Sequence, residues 1–215
     1  MRAQRLGLAF LCVLVAASCA TETPVTPTVA HQGNPASSNS GSPSAPSVAA
    51  AVVDQGTSGT YAWHAGDAFL ATVNPAFSPD VAQAPNGDQI VIRGTGTLGI
   101  HPKSVTGGGT FTHLGPTGAV LGTGTFTAVE LLSFVSYGTS PATPPSFNSG
   151  KALIRVLVFP GGAGSGIDAI LRIECTLPGA EDVPNGLVEG INLDVPGVAN
   201  FQQQVSGATV FIKTS

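Results

Sequence analysis

The chain has 215 residues, a formal charge of −4, and charged side chains at only 9% of positions, against about a quarter in ordinary globular domains. With Arg2 and Arg5 set aside as part of a removable leader, 6 basic residues face 12 acidic ones and form no basic run. No nucleic-acid partner is therefore expected, because phosphate binding needs clustered Lys and Arg.

Residues 1–20 read as an export signal: Arg2 and Arg5 precede an apolar run from Leu6 to Ala17 that is too short to span a bilayer comfortably. Ala16-Ala17-Ser18-Cys19 is similar to a bacterial lipobox, which would make Cys19 the lipid-bearing first residue of the mature protein. Ordinary cleavage after Ala20 is the competing reading. Both put the mature chain outside the cytoplasm, either membrane-anchored through the lipid or secreted. Residues 20–58 are mostly Ser, Thr, Pro, Ala, Gly and Asn, with almost no charge and no aromatic residue, so they cannot offset their own ordering entropy and read as a disordered tether. About 40 flexible residues would hold a domain about 35 Å from its anchor.

Residues 59–215 are the length of one β domain with its own core. Trp63 to Asn74 reads as a first strand or a short helix. Strands are then expected at Gln89–Leu98, Gly109–Leu114, Ala119–Thr127, Leu131–Tyr137, Lys151–Phe159, Ile167–Leu177, Leu187–Val195 and Phe201–Ile212. Turn signals such as Asn86-Gly87 and Asn185-Gly186 separate them, and Gly138 to Gly150 reads as a surface loop. Three related phrases, Gly94 to Leu98, Gly107 to Phe111 and Gly122 to Phe126, alternate Gly with Thr and end on a large apolar residue. Glycine at period two suits strands that coil strongly or carry another group against their backbone.

The expected class is all-β, an antiparallel up-and-down barrel of about eight strands, with a β-sandwich or jelly roll as the alternative. The phrase Thr106-Gly107-Gly108-Gly109-Thr110-Phe111 resembles one strand of the allene oxide cyclase and dirigent barrels, which implies fold plausibility alone. Ser78-Pro79-Asp80-Val81-Ala82, Asn86-Gly87-Asp88, the Gly122 phrase and Leu132 to Gly138 together resemble a group of uncharacterised exported microbial proteins, a resemblance that implies no activity.

Strand parity puts three ionisable residues on otherwise apolar faces: His113 with Phe111, Glu130 with Phe126, Ala128, Leu132 and Phe134, and Glu189 with Leu187, Ile191, Leu193 and Val195. Converging inside a barrel they would make a proton-transfer or polar-anchor site; displaced by one β-bulge they would be surface groups. Cys175, the single cysteine beyond the leader, shares a face with Ile167, Ala169, Leu171, Ile173 and Leu177 and reads as a buried, inert thiol. His64, His101 and His113 have no metal-ligand spacing, and neither a nucleophile elbow nor a phosphate loop is present. No cofactor or metal is expected. Tyr61 and Trp63 read either as a sugar-stacking platform or as aromatics capping a barrel end. The expected function is a non-enzymatic, extracytoplasmic binding domain for a small apolar ligand, a glycan or another envelope component. The alternative is a barrel-cavity isomerase or cyclase acting on a hydrophobic substrate, with Glu130, Glu189 and His113 as acid, base and orienting groups.

Overall fold

Eleven strands, every pair antiparallel, make up one sheet in the computed structural model, which describes residues 58–215. In chain order they are β1 (Thr60–Ala65), β2 (Asp80–Gln83), β3 (Gln89–Gly99), β4 (Ser104–Leu114), β5 (Val120–Gly138), β6 (Phe147–Pro160), β7 (Ile167–Cys175), β8 (Gly190–Val195), β9 (Ala199–Phe201), β10 (Gln203–Ser206) and β11 (Thr209–Lys213). One short helix, α1 (Ala68–Val73), follows β1; Asp67 caps it by accepting the Leu70 N–H at 3.1 Å. The leader, Cys19 and the tether lie outside the described residues.

The all-β antiparallel expectation holds, and from β2 to β9 each strand pairs with its successor, as an up-and-down meander requires. Closure comes from the ends of the domain. β1 lies between β3 and β11, and β11 pairs with β6, so the hydrogen-bonded path β1-β3-β4-β5-β6-β11 returns to its start. Six strands therefore form the ring, and two of them come from opposite ends of the domain. Along one edge β3 pairs first with β2, through Gln89 to Ile92, and then with β1, through Gly94 to Gly99. β6 is shared in the same way between β11 and β7. β7, β8 and β9 thus run off the ring on one side, β2 and β10 run off on the other, and β8 packs against β2 where the two arms meet.

The glycine phrases place bare backbone where large rings lie. A Cβ at Gly96 would stand 2.0 Å from the Thr106 carbonyl oxygen and 2.7 Å from Trp63 Nε1. At Gly94 it would stand 2.7 Å from the Phe126 ring, and at Gly124 it would meet the Phe159 carbonyl at 2.2 Å and the Phe111 ring at 2.7 Å. The intervening Thr95, Thr97, Thr123 and Thr125 are exposed. Glycine is thus the inward residue at Gly94, Gly96 and Gly124, and Trp63, Phe111 and Phe126 fill the vacated space. Trp63 is fully buried and donates Nε1–H to Thr106 O at 3.2 Å, which satisfies its one polar atom. Tyr61 and Trp63 are therefore core residues rather than a stacking platform. With Phe211, Ile92, Leu98, Ile154, Leu171 and Ile173 they fill the interior with side chains.

Two expected strands, Ala119–Thr127 and Leu131–Tyr137, are one continuous strand, β5. Its register shifts between Ala128 and Glu130, between Leu131 and Ser133, and between Ser136 and Gly138. Beyond Phe126 and Ala128 the buried residues are therefore Leu131, Phe134 and Tyr137 instead of every second one. The expected last strand, Phe201–Ile212, is instead the end of β9 followed by β10 and β11, which serve different partners. The expected loop ends early, because β6 already begins at Phe147.

Candidate functional site

The bulges of β5 decide the position of Glu130. Its side chain is exposed and accepts from Arg155 Nε at 3.0 Å, while Arg155 also donates to Asp168 at 2.8 Å. Parity placed Glu130 inside with Leu132; the first bulge turns both to the outer face, where Leu132 is 36% exposed. Exposed pairs of this kind contribute little to stability. The three ionisable residues do not converge: Glu130 is on the outer surface, His113 lies at one end of the meander, and Glu189 lies at the junction of β7, β8 and β11.

Glu189 is a clamp. One carboxylate oxygen accepts from the Thr176 N–H and from Thr176 Oγ1 at 3.1 Å. The other accepts from the Thr209 N–H at 2.7 Å and Thr209 Oγ1 at 2.9 Å. It thereby ties the end of β7 to the start of β11. Burial raises its pKa, and the four donors work against that rise. Beside it lies a residue that strand parity did not single out. Asp80, at the start of β2, is fully buried and neither of its oxygens makes a well-aligned hydrogen bond. Desolvation, and next the charge of Glu189, push its pKa up to about 8, against a weaker opposing pull from the backbone N–H groups of Ile191 and Val81. Asp80 shares parity with buried Ala82 and Ala84, a cue available in the sequence, but so short a strand gave no period to read. Cys175 is fully buried, and burial followed by Glu189 pushes its thiol pKa up. Asp80 and Cys175 are closed to solvent, Glu189 is part-buried, and the cluster is structural in character.

The end of the meander holds an open apolar cavity of about 190 Å³. Its inner wall is Ile90, Phe111, Leu193 and Phe201, all buried, and its rim carries Leu121 and Val198, which are 59% and 64% exposed. Of the residues first picked out by parity, His113 lines it. His113 Nε2 pairs with Asp88 Oδ2 at 3.2 Å, and the imidazole stands edge-on to Phe201 with centroids 5.5 Å apart. Across the β4–β5 ladder His113 faces Gly122, immediately before the register shift after which Leu114 pairs with Val120. A Cβ at Gly122 would meet nothing within 4 Å, so the missing side chain leaves open space at the mouth. His113 and Thr123 are the polar side chains of the lining.

Among the described residues no group of three or more His, Cys, Asp or Glu is placed to hold a metal ion. His64 is instead committed to Asp67, Nδ1 to Oδ2 at 2.6 Å. No protein-family model, curated protein or solved structure matches the chain.

Proposed function

We propose that the protein is a non-enzymatic, extracytoplasmic binding domain that takes a small apolar ligand at the mouth lined by His113. The observation that carries this reading is the cavity's make-up: an apolar wall continuous with the core, exposed Leu121 and Val198 at the rim, and one histidine oriented by Asp88. Solvent-exposed apolar side chains grouped around a concavity are the usual mark of a ligand or interaction surface. The volume, about 190 Å³, sets the size of the guest, since an apolar cavity of about 150 Å³ accommodates benzene. A single ring or a short branched chain suits it, with the imidazole providing one hydrogen bond to a polar substituent.

The test uses Gly122, which lines the mouth and where an added Cβ would meet no atom within 4 Å. Titration of wild type with indole, followed by NMR of the Leu121, Leu193 and Val198 methyl groups, should show saturable shifts. Gly122→Val should abolish them while leaving the unfolding free energy within about 0.5 kcal/mol of wild type, as at other open surface sites. Unchanged binding by Gly122→Val would remove this mouth as the site.

The isomerase or cyclase alternative rested on Glu130, Glu189 and His113 lining one cavity. Glu130 is on the outer surface, and Glu189 has its oxygens committed to Thr176 and Thr209. The binding reading needs neither residue.

A further inference from the structure

A second cavity of opposite character, about 280 Å³, lies on the outer face of β6, β7 and β8, where Gln202 and Gln204 fold over it. Two adjacent cross-strand rows build its floor. Lys151, Glu174 and Gly190 stand opposite one another in the first, and Arg172 stands opposite Asn192 in the second. Gly190 is the empty place in the array. Its φ is +114°, and a Cβ would stand 2.2 Å from the Gln204 amide nitrogen, so glycine both permits the backbone turn and lets Gln204 lie over the row.

The polar groups here are only partly committed to one another. Glu174, nearly buried, is 3.3 Å from Lys151 Nζ and 3.4 Å from Arg172 Nε. Arg172 donates through Nη2 to Asn192 Oδ1, and its Nε has no hydrogen-bond partner. Asn192 passes its own N–H to Gln202 O at 2.6 Å, and Gln204 donates to Gly207 O at 3.3 Å. Glu189 borders the cavity, but its oxygens are taken by Thr176 and Thr209. Two cations therefore face two carboxylates, but Glu189 is filled by its threonine donors and Glu174 meets both cations through one oxygen, so N–H donors are left over on Arg172 and Lys151, and three primary amides surround them. These spare cationic donors suit an acidic acceptor on the ligand. The amides and Glu174 supply the mixed donors and acceptors that ring hydroxyls need.

We propose that this cavity binds a carboxylate-bearing sugar residue of a glycan, with Arg172 and Lys151 holding the carboxylate and Asn192, Gln202 and Gln204 the hydroxyls. The site is separate from the apolar mouth, so either assignment can fail without the other.

The experiment is a comparison of four probes on the wild-type protein: glucuronate, glucose, acetate and inorganic phosphate, followed by NMR of the Gly190, Asn192 and Gln204 amide groups. Glucuronate should give saturable shifts, and each of the other three should bind at least about tenfold more weakly, the cost of one or two lost charge-assisted hydrogen bonds. Arg172→Lys keeps the charge and loses the planar fork, and Lys151→Met leaves Glu174 paired with Arg172. Each should weaken glucuronate by about tenfold on the same scale. Glucose binding as well as glucuronate would overturn the role of the carboxylate, and acetate or phosphate binding as well would reduce the cavity to a simple anion site. Absence of shifts with glucuronate, or full affinity retained in both variants, would overturn the proposal outright.

Discussion

Asp80 carries the clearest pH dependence in the molecule. Its carboxyl group is fully buried without a well-aligned hydrogen bond, and its pKa is raised from 3.8 to about 8 by desolvation and then by Glu189, which outweigh the backbone N–H groups of Ile191 and Val81. Between those two values the folded protein binds more protons than the unfolded chain. Stability is therefore highest below about pH 4 as far as this group is concerned, falls as pH rises through the window, and levels off above about pH 8. Glu189, raised in the same direction, adds to the slope. Asp80→Asn, which retains the shape and cannot ionise, should flatten the curve and leave the variant more stable than wild type at pH 9, by on the order of 3–5 kcal/mol. Urea unfolding at pH 5, 7 and 9 checks this, and parallel curves for the two proteins would refute it. Cys175 belongs to the same neighbourhood. Fully buried and with its thiol pKa raised, it should resist thiol reagents until the protein is denatured. Rapid labelling of the native protein would contradict that.

At the scale of the element, the Gly-Thr phrases are sites where an aromatic ring replaces a side chain. Gly96→Val and Gly124→Val would each drive a Cβ to within 2.0–2.2 Å of a backbone carbonyl oxygen, and neither carbonyl can move without breaking its strand ladder. Each should cost about 3 kcal/mol or more in stability, at or beyond the upper end of ordinary overpacking. Denaturant midpoints equal to wild type would show that these strands are not packed as described. The glycines of the Gly161 to Gly166 turn do not make the tolerant control that an exposed loop suggests. Gly161, Gly162 and Gly164 have φ between +71° and +95°, where a β-branched residue is strained even in open space. Gly122, with open space at its Cα and an ordinary φ, is the better comparison.

At the scale of the whole molecule, closure depends on strands far apart in sequence. β11 completes the ring between β1 and β6, and its first residue, Thr209, supplies two of the donors to Glu189. Phe211, fully buried and packed edge-on to Phe134 with centroids 5.0 Å apart, is the main anchor. Phe211→Ala should destabilise by about 3–5 kcal/mol and weaken protection of β1 and β6 together in hydrogen exchange. Loss confined to β11 would mean that closure is not cooperative. The expected attachment of the domain tests separately. Cys19→Ser should move the protein from the membrane fraction into the medium, and wild type recovered from the medium with Thr21 as its first residue would favour ordinary secretion.

The all-β class, the turn signals such as Asn86-Gly87 and Asn185-Gly186 and the inward face of β7 were legible in the sequence, because these follow from period two and local turn chemistry; β2 was not, and the bounds of β5 and of the last strands were misread. The sequence also made Gly and Thr alternate in the three phrases, which marked where backbone would be left bare without saying what would lie on it. The remaining contacts come from long-range packing. Trp63 and Phe126 reach Gly94 from other strands, and β1 meets β11 across nearly the whole domain, so no local pattern encodes either contact. The first bulge in β5 reversed the side assigned to Glu130, since one extra residue exchanges the faces of the positions after it until the next register shift. His113 acquired Asp88 and Glu189 acquired Thr209 by the same non-local folding. Which ionisable groups meet is set by register and closure, and both depend on the packing of distant apolar side chains that strand periodicity does not record.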